Sequence, residues 1–132
     1  APRITKSDDA TINKFDYATL PIKSQPQILI SYGSIRRSSY SRLLAYEFTR
    51  ILEGPLHCNI PIYHPHKLLV HNPDIPLPVK AAELRALREW SDGQVWVSPE
   101  MHGTITRCFK NQIDWLPLNS GSVCPTQGRT CC

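Results

Sequence analysis

The sequence lacks any long hydrophobic run. No stretch of its 132 residues approaches the roughly 20 consecutive apolar residues that a membrane-spanning helix needs. The N-terminus has no charged start leading into an apolar segment, which is the pattern of a secretory signal peptide. We therefore expect neither membrane insertion nor signal-peptide secretion.

A strong charge of either sign is also missing. Lysine and arginine total 15, aspartate and glutamate total 11, and the formal net charge is +4. This excess is compatible with an anionic ligand but falls short of the dense basic face of a nucleic-acid-binding protein, so we expect no nucleic-acid partner. The glycine-rich motifs GxGxxG and GxxxxGK followed by Ser or Thr are absent too. Neither a Rossmann dinucleotide site nor a P-loop is therefore indicated.

The cysteines form no recognisable framework. The chain has five, an odd number, and no two of them are spaced as CxxC. Secreted domains held by disulfides usually carry even, regularly spaced sets, so the count favours a reducing compartment and a cytoplasmic protein. The five are Cys58, Cys108, Cys124, Cys131 and Cys132.

What the sequence does have is an alternation of strand-like and helix-like patterns. Residues 1–26 show no sustained periodicity, and we interpret them as an extended N-terminal arm. The apolar run between Pro26 and Gly33 is typical of a strand buried on both faces. The order β-α-β-α-β-α predicts an α/β fold with a parallel sheet and helices on both faces. The predicted elements are strand 27–32, helix 41–53, strand 57–63, helix 79–91, strand 94–98 and a helix whose apolar residues recur from Ile105 to Leu116.

Two details of these elements bear on the packing. Pro61 cannot donate to a strand ladder, so the second strand is predicted to lie at a sheet edge. Helix 41–53 carries one apolar stripe, which we expect to face the core. The stripe consists of Leu44, Phe48, Ile51 and Leu52.

The alternation stops after the third helix. Residues 119–132 are rich in glycine, serine, proline and threonine, and no strand is predicted there. The third strand should then form an unpaired sheet edge. We interpret the chain as one that ends before its fold is complete.

The segment GSIRRSSYSR, residues 33–42, concentrates polar side chains between the first strand and the first helix. Backbone N–H groups and the helix dipole favour an anion at such a place. Serine hydroxyls and three arginines suit a phosphate monoester, to which an arginine can make two hydrogen bonds. The alternative is a solvated Ser/Arg loop in which Ser41 is simply the helix N-cap. The residues alone leave both interpretations open.

Four motifs, in order, resemble one family. GSIRRSSYSR (33–42) resembles the FMN-phosphate loop of NADPH-dependent FMN reductases, most closely that of the ArsH arsenical-resistance flavoproteins. SPEMHG (98–103) is similar to their isoalloxazine loop, and KNQIDWLP (110–117) is similar to the helix after it. PTQGRT (125–130) matches the stretch that leads into their fourth strand. Met101 and Cys124 stand where arginine is common in the family.

The resemblance implies a flavodoxin-like parallel sheet with strand order 2-1-3-4-5, here lacking the last two strands, and with FMN at the carboxyl ends of the strands. The chain then divides into an arm (1–26), a partial flavodoxin-like FMN-binding domain (27–130) and a Cys-Cys tail (131–132). The cofactor-binding residues implied are Ser34, Arg36, Ser39 and Ser41 at the phosphate, Tyr40 and Arg42 beside it, and Pro99, Glu100, Met101, His102 and Gly103 around the flavin ring.

The same resemblance implies an oxidoreductase that uses FMN and NADPH. Hydride passes from NADPH through FMN to a small-molecule electron acceptor: a quinone, an azo compound, oxygen or a trivalent organoarsenical. The resemblance also implies a homo-oligomer, a dimer or a tetramer. Specific catalytic residues are not indicated.

Two other functions stay open at this point. The chain could be a catalytically incompetent relative that acts as an interaction subunit. It could instead bind arsenic(III) through the soft thiolates of Cys124, Cys131 and Cys132. The histidines near the second strand lack an accompanying carboxylate cluster, so we predict no metal site. His102 is either a titrating group beside the flavin or a loop residue whose backbone matters more.

Overall fold

The structure is a computed structural model that describes residues 25–117 and 130–131. The arm predicted at residues 1–26 therefore lies almost wholly outside the described residues, as do Cys124 and Cys132. Within the described part of the chain, no helix is long and apolar enough to cross a membrane.

The elements follow the predicted alternation. The helices are α1 (Tyr40–Glu53), α2 (Val79–Trp90) and α3 (Arg107–Asp114). The strands are β1 (Ile28–Tyr32), β2 (Ile62–Tyr63), β3 (Gly93–Val97), β4 (Glu100–Met101), β5 (Thr104–Ile105) and β6 (Thr130–Cys131). The sequence missed the β4–β5 hairpin, which contains Ile105, so α3 begins two residues later than its apolar spacing suggested.

The main sheet is parallel with the order β2-β1-β3-β6. Its longest register pairs β1 with β3, from Ile28 opposite Gly93 to Tyr32 opposite Val97. The short β2 lies at the edge, where its preceding Pro61 accepts a hydrogen bond from the Ile30 N–H at 3.1 Å. The predicted edge position of this strand and the flavodoxin-like fold are confirmed.

The fourth strand is present at its start. Thr130 and Cys131 pair with Gly93 and Gln94. The predicted unpaired edge of the third strand is therefore wrong for its first two residues, and Cys131 lies in a strand rather than in a separate tail. The sequence could not show this, because a strand of two residues has no detectable periodicity.

Helices cover both faces of the sheet. Successive side chains of β1 point to opposite faces, so each helix packs against alternate residues of this strand. Ile30 and Tyr32 pack in one cluster with Ala45 of α1. Leu29 packs on the other side with Leu84 of α2. The cluster on the α1 side also contains Val95 and Val97, and the cluster on the α2 side also contains Tyr63.

The apolar stripe predicted to bury α1 is largely exposed in the described structure. Leu44, Phe48 and Ile51 retain 48%, 36% and 42% of their accessible surface. The buried residues of α1 are the small Ser41 and Ala45, which let the helix lie close to the sheet. The prediction failed because helical spacing identifies an apolar face without identifying what covers it.

Candidate functional site

A cleft of about 980 Å³ opens at the carboxyl ends of β1 and β3. The loop from β1 to α1 forms one wall, and the β4–β5 hairpin with α3 forms another. Neighbouring strands whose following elements diverge leave such a crevice at this edge of a parallel sheet. Its volume lies at the upper end of the range of small-molecule sites, roughly 300–1,000 Å³.

Gly33 joins the two walls. Its N–H donates to the carbonyl oxygen of Val97 at 2.8 Å, and its own carbonyl oxygen accepts from the Thr106 hydroxyl at 2.6 Å. A Cβ at this position would lie 2.7 Å from Cβ of Phe109 and 2.9 Å from the hydroxyl of Ser98. Only glycine therefore allows β1 to pass this close to α3.

Three serines of the segment 33–42 are buried: Ser34 after β1, and Ser39 and Ser41 at the start of α1. The Ser39 hydroxyl accepts from the Arg42 N–H at 3.2 Å, so Ser39 is the N-cap. Ser34 accepts from the Arg36 N–H at the same distance. The alternative in which Ser41 is the N-cap is therefore wrong. Ser41 instead lies in the first turn and lines the cleft.

The three arginines of this segment have different surroundings. Arg36 lines the cleft, whereas Arg37 does not. Arg42 turns along α1, where its Nε donates to the Tyr46 hydroxyl at 3.4 Å and its guanidinium lies 5.6 Å from the centre of that ring. The first turn of α1 contains no acidic residue. Positive charge at this end of the cleft therefore comes from Arg36 and from the helix N-terminus.

The β4–β5 hairpin brings three predicted residues to the cleft: Pro99, Glu100 and Met101. His102 and Gly103 form its exposed turn, with φ of 51° and 79°, and do not line the cleft. The carboxylate of Glu100 accepts from the Gly103 N–H at 3.0 Å and closes this turn. A Cβ on Gly103 would meet nothing within 4 Å. Its positive φ, and not a close approach, is what favours glycine there.

The structure thus brings together eight of the eleven predicted site residues. They are Ser34, Arg36, Ser39, Tyr40, Ser41, Pro99, Glu100 and Met101. Sequence reasoning missed a third wall, the segment after β2, and most of the α3 wall. Their lining residues are Pro65, Leu68, Val70, Thr106, Arg107, Cys108, Lys110, Asn111 and Asp114. The motif at 110–117 marked α3, but nothing local to residues 65–70 indicates which elements they meet.

Asn111 fixes the third wall to α3. Its amide nitrogen donates to the carbonyl oxygen of Leu69 at 2.9 Å, and its amide oxygen accepts from the His71 N–H at 2.8 Å. The Trp115 indole N–H also donates to the Leu69 oxygen, at 2.7 Å. Residues 69–71 therefore hold a defined position although they lie in an exposed loop.

The histidines after β2 make hydrogen bonds that support the loops. Nδ1 of His64 and the buried Tyr32 hydroxyl are hydrogen-bonded at 2.8 Å. His66 donates from Nε2 to the Ile35 carbonyl oxygen at 3.2 Å. Burial lowers the pKa of His64, and the nearby Arg42 lowers it further. The described residues contain no group of three histidine, cysteine or acidic side chains that could hold a metal ion.

The donors at the α1 end fit the phosphate of a mononucleotide. A phosphate monoester needs several hydrogen-bond donors and a compensating charge. Buried serine hydroxyls, first-turn amides without intrahelical acceptors and Arg36 supply both kinds of group. The hairpin and the segment 65–70 add apolar surface beside them, so a flat ring attached to the phosphate also fits.

Fold and cleft together define a flavodoxin-like α/β protein with a serine- and arginine-rich loop after the first strand. The chain belongs to the NADPH-dependent FMN reductase family, whose family model matches residues 26–130.

Similar sequences include proteins named NADPH-dependent FMN reductase ArsH. The chain is 50% identical over 106 residues to those of Acidithiobacillus ferrooxidans and Rhizobium meliloti, and 44% identical over 112 residues to that of Shigella flexneri. These matches cover 79–80% of this chain but 41–44% of the relatives. The chain therefore spans less than half the length of the curated relatives it matches.

Two solved structures share the fold. One is FerB from Paracoccus denitrificans, a flavoenzyme NAD(P)H:(acceptor) oxidoreductase, with a TM-score of 0.68 at 23% identity. The other is the apo form of the NADH:FMN oxidoreductase EMOB, with a TM-score of 0.61 at 22% identity. Each match covers 79% of this chain, and 57% and 54% of the respective structures.

Proposed function

We propose that this chain forms the FMN-binding part of an NADPH-dependent oxidoreductase of the ArsH type. The observation that carries the proposal is that three buried serines, one after β1 and two at the start of α1, line a cleft that the β4–β5 hairpin also lines. The family of the chain supports the choice of FMN and NADPH.

The loop and the first turn of α1 hold the FMN phosphate in this proposal. Ser34, Ser39 and Ser41 donate hydroxyl hydrogen bonds, and the unpaired amides of the first turn donate from the backbone. Arg36 adds a charge-assisted pair of bonds. Tyr40 borders the phosphate from the first position of the helix.

The hairpin covers the ring. Pro99, Glu100 and Met101 line this part of the cleft, while His102 and Gly103 shape the turn that presents them. FMN, when bound, supplies hydride chemistry between NADPH and the acceptor. The residues of the chain orient the ring and exclude water from one side of it.

The acceptor is a small molecule: a quinone, an azo compound, oxygen or a trivalent organoarsenical. The active protein is a cytoplasmic homo-oligomer. The exposed apolar residues of α1 support an assembly, because a stripe of this size on a soluble protein is typical of an interaction surface.

The experiment that tests the proposal is titration of the purified chain with FMN, followed by flavin fluorescence and visible absorbance. Binding at micromolar FMN, with a shifted visible band, is the expected outcome. NADPH consumption by the FMN-loaded protein, monitored at the NADPH absorbance band, then tests the activity. If neither the flavin fluorescence nor the visible absorbance band changes when the chain is titrated with excess FMN, the proposal is overturned.

A further inference from the structure

The α3 wall of the cleft carries a positive charge that the proposed FMN contacts leave unused. Arg107 is the first residue of α3 and lines the cleft. The residue before it, Thr106, donates from its hydroxyl to the carbonyl oxygen of Gly33 at 2.6 Å. The backbone of Arg107 is therefore held close to the start of the phosphate loop, while its side chain is exposed to the cleft and to solvent.

The acidic side chains that line the same cleft already have partners. Asp114 forms an ion pair with Lys110 one turn earlier on α3. Glu100 accepts from the Gly103 N–H in the hairpin turn. In the part of the chain that the structure describes, Arg107 itself forms no ion pair. Its guanidinium is thus available to an anion.

The other polar groups of this wall are committed or uncharged. Both ends of the Asn111 amide are hydrogen-bonded to the segment 69–71. Burial raises the pKa of the Cys108 thiol, so this group stays neutral near pH 7 and does not repel an anion. An anionic ligand at the α3 wall is therefore recognised chiefly through Arg107.

We propose that Arg107 binds the 2′-phosphate of the adenosine half of NADPH and thereby sets a preference for NADPH over NADH. The inference rests on the proposed function, in which the FMN phosphate occupies the α1 end of the cleft. A phosphate monoester carries nearly two negative charges near pH 7 and accepts two parallel hydrogen bonds from one guanidinium. The cleft volume, about 980 Å³, is compatible with a second ligand beside a mononucleotide.

The 2′-phosphate and the pyrophosphate of the dinucleotide are both anions that an arginine can bind. The test must therefore distinguish which of the two Arg107 contacts. Binding of adenosine 2′,5′-bisphosphate and adenosine 5′-monophosphate is measured by equilibrium dialysis for the wild type and for Arg107→Gln. Binding of NADP⁺ and NAD⁺ to FMN-loaded protein is measured in the same way. We expect Arg107→Gln to weaken binding of the bisphosphate and of NADP⁺ about tenfold, the loss typical of one charged hydrogen-bonded contact.

The matched control is Arg37→Gln, which removes an exposed arginine that does not line the cleft. It should change none of these affinities by more than about twofold. Binding of adenosine 5′-monophosphate, NAD⁺ and FMN should also stay within twofold in Arg107→Gln. The loss of bisphosphate affinity should shrink as salt is added, because an exposed charge pair is screened.

Three results overturn the inference. If Arg107→Gln weakens the binding of NADP⁺ and of NAD⁺ equally, Arg107 contacts the pyrophosphate. If the variant loses FMN binding, Arg107 contacts the flavin phosphate. A wild type that binds the bisphosphate no better than the monophosphate leaves Arg107 without the proposed role. If the chain fails to take up FMN, the proposed function is overturned, while the comparison of the two adenosine nucleotides on the FMN-free protein still decides the role of Arg107.

Discussion

Gly33 lies where β1, β3 and α3 meet, and its missing side chain is what lets them meet. The three atoms nearest to a Cβ at this position belong to Phe109, Ser98 and Thr106, all within 3.0 Å. Two of them are polar atoms whose hydrogen bonds hold the loop and the helix together. The lack of a side chain at this residue therefore sets how closely β1 and α3 approach each other.

Gly33→Ala should destabilise the fold by about 1–3 kcal/mol, which is the usual cost of forcing an extra group into packed surroundings. Urea unfolding followed by tryptophan fluorescence measures the change. Gly103→Asn is the control, because position 103 has open space and asparagine tolerates its positive φ. Similar stabilities for the wild type and Gly33→Ala would show that the contact relaxes without cost.

Arg36→Ala should lower FMN affinity about tenfold, since one charge-assisted contact to the phosphate is lost. Fluorescence titration with FMN measures the dissociation constant. Arg37→Ala, which removes the neighbouring arginine that does not line the cleft, should bind FMN as the wild type does. Equal losses in the two variants would mean that general positive charge, and not the position of Arg36, attracts the flavin.

His64 makes stability depend on pH. Burial and the charge of Arg42 hold its pKa below the ordinary value of 6.5. The unfolded chain therefore takes up a proton at His64 at a higher pH than the folded chain does, and stability falls as the pH drops below about 6.5. Above that pH, both states are neutral at this residue and its contribution stays constant.

Urea midpoints between pH 5 and pH 8 check this dependence. His64→Gln should have a shallower loss of stability below pH 6.5 than the wild type, because glutamine does not titrate. His102→Asn, at the exposed hairpin turn, should keep the wild-type slope. A wild-type slope in His64→Gln would show that other groups cause the acid sensitivity.

At the scale of elements, α3 is a short helix with a large structural role. Eight residues form a marginal helix in isolation, so its stability depends on its cap and on packing. The Thr106 hydroxyl accepts from the Phe109 N–H at 3.2 Å and donates to Gly33, and the Gln112 amide donates to the Tyr32 carbonyl oxygen at 2.9 Å. These bonds join α3 to the end of β1.

Thr106→Val keeps the shape of the side chain and removes its hydroxyl. It should cost about 1–3 kcal/mol, since the helix loses its N-cap and the buried Gly33 carbonyl loses a donor. It should also weaken FMN binding, because the phosphate loop loses its anchor. Thr106→Ser, which retains the hydroxyl, should recover most of both losses in the same unfolding and titration measurements. If serine restores neither, the methyl contacts of Thr106 matter more than its hydrogen bonds.

The sequence predicted those elements whose signals are local. The run from Gln27 to Tyr32 lies between Pro26 and Gly33, and it gave β1 to within one residue. The alternative interpretation offered Ser41 as the N-cap, whereas Ser39 is the cap, because several serines lie in the same segment and spacing does not choose among them. The hairpin at 100–105 escaped notice, since its two-residue strands are too short for a pattern.

Only part of the cleft lining could be predicted from the sequence, because the rest depends on contacts between residues far apart in the chain. Residues of the phosphate loop and the hairpin are contiguous in the sequence, and their motifs resemble a known family. Pro65, Leu68 and Val70 reach the cleft through long-range contacts of their segment, such as the Asn111–Leu69 hydrogen bond, which joins residues 42 positions apart along the chain. Without an alignment or coordinates, no physical rule links that segment to α3.

At the scale of the whole molecule, the described structure leaves an apolar side of α1 exposed. Tyr40, Leu44, Phe48 and Ile51 recur at spacings of four, four and three, and Tyr40 also lines the cleft. The apolar side of the helix thus extends from its C-terminal turn to the cleft. A homo-oligomer formed through this face would place a neighbouring subunit beside the cleft.

Phe48→Glu should reduce self-association, because a charge in the middle of the stripe opposes its burial. Light scattering during size-exclusion chromatography measures the mass at several protein concentrations. Val79→Glu is the control: it puts the same charge on α2 at a side chain that is 85% exposed and away from the stripe. A wild type that is monomeric at all concentrations would contradict assembly through this face.

The bonds of α3 have a thermodynamic consequence for whatever the cleft holds. Thr106 ties the phosphate loop to this helix, and Asn111 ties the segment 69–71 to it. Fraying of eight residues would therefore loosen three walls at once, and ligand release and local melting become linked equilibria. A ligand in the cleft should therefore stabilise α3, which lines it, and the local stability of this short helix should in turn limit the lifetime of the complex.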